Sequence, residues 1–369
     1  MMTAKKEIFR PSFGNRPDQM IGRDGIIEQI MGGLQSYPGS AERSVLLIGQ
    51  RGMGKTALLL ELADRAIRLD YVAVRVTCGE TMLDNLIELL QREGAQYIRD
   101  SRRSVRGVST GALGFSFGLI FSEEAQRSFG FRVKLEMICE RLAKAGKRVL
   151  ILVDEVTPFV KEMRELATAY QELAGTGTEI SIVMAGLPAS ISDILNYKTL
   201  TFLNRADRYE LDLIPVGIVE AYYRSAFKRA SIQASREIIR EAAALTQGFP
   251  YQIQLIGFYL SRFSADGKAV SRQTLRRVKQ LATEELDEKV FRAILHPLSD
   301  QDRVFLDAMA ACDGVIKTSD VERITRFKHG TLQTYRLRLI DAGIITSPRR
   351  GELAFVLPQM ADYLKRRKL

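Results

Sequence analysis

Histidine and cysteine are scarce in this chain of 369 residues. The only histidines are His296 and His329, and the three cysteines, Cys78, Cys139 and Cys312, lie far apart without a CxxC pair. Zinc sites use Cys and His ligands at short, regular spacings, so the sequence excludes a recognisable one. Scattered free thiols fit a reducing compartment, and we therefore expect a cytoplasmic protein.

Long apolar runs are missing as well. The first ten residues contain no apolar segment typical of a signal peptide. The longest stretch of low charge, residues 108–121, is shorter than the roughly 20 residues that a membrane helix needs. Large and small side chains alternate in its second half, which predicts a strand or hairpin; a loop that touches a membrane is the alternative. We expect no membrane-spanning segment.

Charge of one sign is in excess. The formal net charge is +10 and the sequence pI is about 9.5. Such a balance favours an anionic partner, either a nucleotide or a nucleic acid, and a basic but merely solvated surface is the alternative. At roughly 100–200 residues per domain, the length predicts two or three domains.

Strand and helix patterns alternate through the first 213 residues. Continuous apolar runs of this kind are typical of strands buried on both faces of a parallel sheet. They predict strands at 44–48, 71–77, 148–153, 179–184 and 208–213. Amphipathic periodicity predicts helices at 24–34, 55–67, 81–92, 131–145 and 159–173. The expected fold is α/β, with helices on both sides of a parallel sheet.

From residue 215 onward the pattern changes to helices alone. The helical segments, which we interpret as a lid over the sheet domain, are 216–230, 236–246, 251–264 and 271–286. A third region begins near His296. Its order of three helices followed by a hairpin is typical of a winged helix. Those elements are predicted at 299–311, 318–324, 331–342, 344–346 and 352–357.

A phosphate-binding loop follows the first predicted strand. Its pattern, Gly49-x-x-x-x-Gly54-Lys55-Thr56, lies between a buried strand and a helix, which is the context that a P-loop needs. Backbone N–H groups of such a loop face phosphate oxygens, and the helix N-terminus adds about half a positive charge. Lysine reaches the outer phosphates and threonine ligates Mg²⁺. The candidate nucleotide-binding residues are Gly49, Gln50, Arg51, Gly52, Met53, Gly54, Lys55, Thr56 and Ala57.

Two carboxylates follow the apolar run 149–153. Parallel sheets bind ligands at the carboxyl ends of their strands, so Asp154 and Glu155 are expected at the same edge as the P-loop. We predict that Asp154 holds Mg²⁺ and that Glu155 orients and deprotonates the attacking water. An acidic pair that only caps a helix or forms a turn is the alternative.

Together these motifs resemble the STAND class of P-loop ATPases, especially the archaeal-type ATPases. Gly22-Arg23 resembles the segment that this class places near adenine, and Met184-Ala185-Gly186 is similar to the strand end beside the γ-phosphate. Gly248-Phe249-Pro250 resembles the GxP motif, which implies that Pro250 lies against the nucleotide. A winged helix fits this class and the archaeal origin-recognition initiators, which are related to AAA+ ATPases.

The resemblance covers roughly residues 15–369 and implies a division of the chain. We expect an N-terminal arm with an adenine-side helix at 1–40, and an ASCE-type P-loop NTPase core at 41–214. A helical lid is expected at 215–292 and a winged-helix domain at 293–369. The implied ligands are ATP and Mg²⁺. No guanine-binding NKxD motif occurs.

The sequence departs from the family at the γ-phosphate. The strand end 184–186 offers no Asn, Ser or Thr side chain. Arg205 and Arg208 are the downstream candidates for sensing this phosphate, in the same chain or in a neighbouring subunit. We assign the catalytic role to Arg208, with Lys55 and Glu155, and ordinary surface ion pairing is the alternative. The lid also lacks a clear sensor arginine, so we expect a slowly hydrolysing switch.

The predicted winged helix carries an excess of Lys and Arg. Recognition helices enter the major groove, and wing arginines contact phosphate or the minor groove. Residues 328–350 are therefore the candidate surface for double-stranded DNA, with Arg349 and Arg350 at the wing tip. The candidates on or near the recognition helix are Lys328, Thr331, Gln333, Thr334, Arg336 and Arg338. The basic tail 365–368 either adds phosphate contacts or is only solvated.

Three functional hypotheses remain at this point. In the first, ATP bound between core and lid controls how the winged helix engages DNA. In the second, a STAND-type scaffold uses ATP for self-association or for binding a protein partner without DNA. A nucleotide-hydrolysing enzyme with a metabolic substrate is the third, and no substrate-specific group of residues supports it.

Overall fold

A parallel sheet forms the centre of the computed structural model, which describes residues 8–11, 16–98, 129–264, 269–312 and 314–367. Its strands are β1 (Ser44–Gly49), β2 (Tyr71–Thr77), β3 (Arg148–Asp154), β4 (Ile180–Gly186) and β5 (Asp207–Leu211). The order across the sheet is β2-β3-β4-β1-β5, and all neighbouring strands are parallel. Because β1 and β3 are separated only by β4, their carboxyl ends meet at one edge.

Helices cover both faces of this sheet. The first face packs against α1 (Asp24–Gly33) and α2 (Lys55–Ile67). The second face packs against α3 (Met82–Gly94), α4 (Phe131–Lys144), α5 (Lys161–Gly175) and α6 (Pro188–Asn196). In β3, Leu150 and Leu152 enter the first core, whereas Ile151 and Val153 enter the second. Burial on both faces explains why these strands are continuously apolar.

The α/β fold and the predicted elements of the sheet domain are confirmed, with one addition. Helix α6 was not predicted, because Pro188 follows a glycine and a leucine in what looks like a turn. Pro188 in fact occupies the first turn of α6, where its missing N–H costs no hydrogen bond. The strand or hairpin predicted within 108–121 lies outside the described residues.

A series of helices follows the sheet. These are α7 (Val216–Ala230), α8 (Arg236–Leu245), α9 (Pro250–Phe263) and α10 (Arg272–Leu286). A π-helical segment, Asp287–Phe291, then continues into α11 (Arg292–Leu295). The four predicted helices are confirmed to within one residue at each end.

The last region combines helices with a small antiparallel sheet. It contains α12 (Asp300–Ala311), β6 (Ile316–Lys317), α13 (Thr318–Thr325), α14 (His329–Asp341), β7 (Ile345–Thr346), β8 (Glu352–Phe355) and α15 (Met360–Arg367). The strand order is β6-β8-β7. Strand β6 was not predicted because two residues establish no periodicity, and α15 was taken for a charged tail although Met360 and Leu364 are buried one turn apart.

One hydrophobic cluster runs from α7 to α15 without a break. The helical region and the C-terminal region therefore share a core, and the four-part division of the chain stays a prediction. In the described part of the chain, we found no helix with the length and apolarity required to cross a membrane.

The segment around Phe9 belongs to this same core. The Phe9 ring is 2% exposed and makes edge-on contacts with Tyr222, Tyr223 and Phe227, at centroid distances of 5.9, 5.9 and 6.0 Å. Opposite the ring lies Gly257 of α9, where an added Cβ would come within 2.2 Å of Phe9 Cδ1. Within the predicted N-terminal arm, Ile8 and Phe9 are thus packed among the helices.

This packing predicts the effect of a substitution that normally stabilises helices. Gly257→Ala should lower the free energy of unfolding by about 1–3 kcal/mol, because the new methyl group overlaps the Phe9 ring. Phe9→Ala should cost about 3–5 kcal/mol, and the double variant less than the sum of the two. Denaturant unfolding measures all three. The control is Gly217→Ala in α7, where the space around a Cβ is open; a similar loss there would contradict the explanation.

Candidate nucleotide site

The predicted phosphate loop connects the end of β1 to the first turn of α2. Gly52 and Gly54 have φ values of +79° and +84°, in the left-handed region that favours glycine. Gly54 is also the N-cap of α2. The helix therefore begins directly at the loop, so that its free N–H groups and the positive end of its dipole favour an anion there.

Lys55, the first residue of α2, folds back onto the loop. Its Nζ donates hydrogen bonds to the carbonyl oxygens of Gly49, at 2.7 Å, and Gln50, at 3.0 Å. Burial lowers the pKa of Lys55 to about 8, although the carboxylates of Asp154 and Glu155 act in the opposite direction. A partly desolvated ammonium group held by neutral carbonyls is well suited to receive phosphate oxygens, which bring negative charge.

Thr56 and Asp154 lie side by side, as the motifs predict. The Thr56 hydroxyl donates to Asp154 Oδ2 at 2.6 Å, and the N–H of Glu155 donates to Oδ1 at 3.0 Å. Asp154 is only 4% exposed. A buried carboxylate beside a hydroxyl offers two hard oxygen ligands, which is the donor chemistry that Mg²⁺ prefers. These two residues therefore fit the predicted metal site.

Glu155 has an unusual backbone for a residue with a side chain. Its φ is +55°, in the left-handed region, and its side chain is exposed at the carboxyl end of β3. Such backbone strain costs on the order of 1–3 kcal/mol and is concentrated at functional sites. The turn directs the chain away from β3 directly after Asp154, and Glu155 remains at the rim of the same cavity.

A cavity of about 860 Å³ lies between the loop, the carboxyl ends of the strands and α9. This volume is within the range of pockets that bind drug-sized or cofactor-sized ligands. Of the predicted site residues, the cavity is lined by Arg23, Arg51, Gly52, Met53, Gly54, Lys55, Thr56, Ala57, Asp154, Glu155 and Pro250. Gly22, Gly49, Gln50 and Arg208 do not line it.

The Gly22-Arg23 segment connects the cavity to the end of the sheet domain. Arg23 is 6% exposed and its guanidinium donates to the carbonyl oxygen of Asp212, just after β5. Burial lowers the pKa of Arg23, partly offset by the Asp212 carboxylate. Gly22 has a φ of +64°, and an added Cβ would lie 3.1 Å from Ile214 Cγ2. Gly22 therefore shapes the chain and Arg23 contributes to the cavity wall.

The Gly248-Phe249-Pro250 turn brings the helical region against the phosphate loop. A Cβ on Gly248 would lie 2.2 Å from the carbonyl oxygen of Ile214, so only glycine fits. Phe249 is 2% exposed, and a Cβ on Gly52 would lie 2.5 Å from its ring. Pro250 begins α9 and lines the cavity. The sequence pointed to Pro250, whereas the residue in contact with the loop is Phe249.

Neither predicted sensor arginine lies at the cavity. Arg208 is paired in register with Leu46, in the middle of β1, because β5 continues for three more residues to its carboxyl end. Its guanidinium donates to the backbone and side-chain oxygens of Asn204, at 3.2 and 3.3 Å. Arg205 is exposed. Within one chain Arg208 therefore does not line the cavity, and its catalytic role, including contact with a neighbouring subunit, stays a prediction.

Other arginines line the cavity in their place. Arg51 belongs to the loop, and Arg75 lies on β2 with Nη1 3.5 Å from Asp154 Oδ2. Sequence reasoning missed Arg75. The available signal was a single charged residue within the otherwise apolar run Tyr71–Thr77.

Gln50 points away from the cavity toward the C-terminal region. A Cβ on Gly343, which follows α14, would lie 2.5 Å from Gln50 Oε1 and 3.4 Å from Leu187 Cδ2. Gln50 Oε1 is buried and has no hydrogen-bond partner among the described residues. One residue of the loop is therefore in contact with the C-terminal region.

Comparison with known families divides the chain in two. Residues 19–174 match the family described as "AAA ATPase domain", and residues 288–364 match a "Domain of unknown function (DUF8462)". The first match contains the phosphate loop, Arg75 and the Asp154-Glu155 pair. Comparison with curated proteins gave no match.

Several solved structures share the fold along nearly the whole chain. The Walker-type ATPase PABY2304 of Pyrococcus abyssi is 15% identical with a TM-score of 0.70, over 95% of this chain and 97% of the other. The Aeropyrum pernix ORC2 protein is 11% identical with a TM-score of 0.61, over 96% of each chain. Cdc6p from Pyrobaculum aerophilum is 15% identical with a TM-score of 0.50, over 97% and 98%. The chain thus has the fold of a P-loop ATPase, and the family match over 19–174 supports nucleotide binding.

Proposed function

We propose that this protein is an ATP-binding switch that hydrolyses ATP slowly and couples its nucleotide state to DNA engagement by a C-terminal winged helix. The observation that carries the proposal is the position of the phosphate loop between two other parts of the molecule. Gly52 contacts Phe249, and Gln50 contacts Gly343. A change of loop conformation on phosphate binding would therefore reach both the lid and the C-terminal region.

The residues around the cavity suit ATP and Mg²⁺. The loop and Lys55 would bind the phosphates, and Thr56 with Asp154 would hold the metal. When bound, Mg²⁺ neutralises charge on the outer phosphates. Glu155, at the cavity rim, would orient the attacking water and take its proton. The strand end at 184–186 supplies no polar side chain to assist, which fits slow turnover.

A second connection to the C-terminal region runs through α6. Its N-cap, Leu187, follows β4 directly, and both Leu187 and Ser190 in the first turn line the cavity. Farther along, α6 packs on α14. Because α14 is the predicted recognition helix, the end of the cavity and the predicted DNA-reading element are separated by one helix.

The predicted DNA surface is smaller than the sequence suggested. Arg338 donates to Asp302 and Ser299 at the start of α12, and Arg336 donates to Ser347 Oγ at 3.0 Å. These arginines are used within the fold. The exposed candidates are Lys328, Thr331, Thr334, Arg338, Arg349 and Arg350, of which Arg338 is held by its ion pair. Gln333 is half-buried.

The basic tail is also partly used within the fold. Arg366 pairs with Asp287 at 2.8 Å, and Arg367 pairs with Asp307 at 3.1 Å. Helix α15 is thereby held against the preceding helices. Phosphate contact by these two arginines would require breaking the ion pairs, so we assign Arg366 and Arg367 no role in DNA binding.

A STAND-type scaffold remains the second candidate, favoured by two observations on the C-terminal region. Arg336 and Arg338 are hydrogen-bonded within the fold, and Leu337 and Ile324 are 55% and 45% exposed. Exposed apolar side chains on a surface with fewer free cations suit a protein partner or a second copy of the chain better than DNA.

The catalytic part of the proposal predicts two separable effects. Lys55→Ala should weaken ATP binding at least about tenfold, since it removes the cation facing the phosphates. Glu155→Gln should retain ATP binding but lower kcat by about 10²–10⁴-fold, because an amide cannot accept the proton. Calorimetric binding and phosphate release measure these effects. Arg68→Ala, at the end of α2 farthest from the phosphate loop, is the control and should change neither. Equal turnover in wild type and Glu155→Gln would show that Glu155 has no part in the mechanism.

The DNA part predicts salt-dependent binding that changes with nucleotide. Fluorescence anisotropy with a labelled duplex at low salt should give different affinities with ADP and with a nonhydrolysable ATP analogue. The double variant Arg349→Ala/Arg350→Ala should weaken binding. It should also reduce the slope of log K against log salt concentration by about two, one for each lost phosphate contact. The charge-matched control is Arg276→Ala/Lys279→Ala, on the exposed face of α10.

Absence of binding at low salt in every nucleotide state would end the DNA hypothesis. The scaffold hypothesis is then tested by light scattering of the full chain with and without ATP and Mg²⁺. A nucleotide-dependent change in mass would support it, and a monomer under all conditions would count against it.

A further inference from the structure

Arg75 is a charged residue on a strand that is otherwise part of the core. In β2, Val72, Val74 and Val76 face the second core, with α3. The alternate residues face α2, on the side of the sheet that also carries the Asp154 side chain. Arg75 is paired with Leu152, and Thr77 with Asp154. Arg75 therefore lies two residues before the position opposite Asp154, on the same face of the sheet.

The guanidinium reaches the predicted metal site. Its Nη1 lies 3.5 Å from Asp154 Oδ2, the same oxygen that accepts the Thr56 hydrogen bond. The Arg75 side chain is 35% exposed, against 6% for Asp154, and it lines the cavity. Among the described residues, we found no hydrogen bond from this guanidinium. Most of its donors are therefore free to bind a ligand.

The position identifies which part of a nucleotide these donors would meet. In P-loop enzymes the metal bridges the β- and γ-phosphates. A cation beside the metal ligands therefore lies at the terminal phosphate and not at the base or ribose. A planar guanidinium presents paired donors that match two phosphate oxygens.

Electrostatics supports the same assignment. An arginine beside Asp154 repels Mg²⁺ and would weaken the metal site if nothing else were bound. A triphosphate reverses this effect, because its terminal oxygens attract both cations. Arg75 would thus weaken binding of Mg²⁺ alone and strengthen the joint binding of Mg²⁺ and the terminal phosphate.

We propose that Arg75 binds the terminal phosphate of ATP from within the same chain and so sets the preference for ATP over ADP. This inference rests on the proposed ATP-binding function. The phosphate-sensing arginine would then lie on β2, and not at position 205 or 208 as the sequence suggests. It would take the place of the polar side chain that the strand end 184–186 lacks.

The experiment is a set of equilibrium titrations in Mg²⁺ with a nonhydrolysable ATP analogue and with ADP. For Arg75→Ala, the Kd of the analogue should rise at least about tenfold while that of ADP stays nearly constant, a change of about tenfold in their ratio. Arg75→Lys keeps the charge but loses the paired donors, so its ratio of the two Kd values should lie between those of wild type and Arg75→Ala. Arg68→Ala, at the end of α2 farthest from the phosphate loop and outside the cavity wall, should leave both affinities unchanged.

The outcomes separate this inference from the function on which it rests. If wild-type protein binds neither nucleotide, the ATP-binding function is wrong. If wild type binds both and Arg75→Ala weakens them equally, weakens neither or strengthens the analogue, the assignment of Arg75 alone is wrong. Thermal unfolding checks each variant. Should Arg75→Ala not fold, Arg75→Gln, which keeps a polar group near Asp154, is used for the same comparison.

Discussion

The close approach of Phe249 to Gly52 is the contact on which the rest of the site depends. The ring occupies the space where any other residue at position 52 would have its Cβ. Gly248 makes the approach possible from the other side, since its own missing Cβ lets the turn lie against the carbonyl of Ile214. Two glycines, far apart in sequence, thus allow the helical region to close one wall of the cavity.

The loop between β1 and α2 is consequently more than a phosphate cradle. Its first half turns Gln50 toward Gly343, and its second half carries the glycines that hold Phe249 and begin α2. A segment with contacts on both sides cannot change its conformation alone, because close-packed neighbours must move with it. This packing is the physical basis for regarding nucleotide binding and the C-terminal region as coupled.

Opposite charges are arranged along the cavity in an order that suits a nucleotide with a metal ion. Lys55 is held by carbonyl oxygens and loses part of its hydration, which is why its pKa falls to about 8. Asp154 accepts hydrogen bonds from Thr56 and Glu155, and the Arg75 guanidinium lies 3.5 Å away. The ammonium group is hydrogen-bonded to carbonyl oxygens and the carboxylate to protein donors, so an incoming phosphate and a metal would each replace part of these contacts.

Local pattern was sufficient for the sheet, the phosphate loop and all the covering helices named above except α6. A strand buried on both faces is continuously apolar, and a P-loop needs glycines, lysine and threonine at fixed spacing, so both are written in consecutive residues. Helix α6, which begins with a proline, and the two-residue strand β6 were not predicted, because neither start produces a periodic signal.

Consecutive residues were therefore enough to predict the α/β fold, the phosphate loop and the Asp154-Glu155 pair. Which other side chains lie beside them depends on contacts between distant elements. Because of the strand register, Arg208 lies away from the cavity and Arg75 lies beside Asp154. Phe9 and Phe249 contact residues that are distant in sequence. The reason is physical: spacing along the chain fixes neighbours within one helix or strand, whereas contacts between elements depend on how whole faces pack against each other.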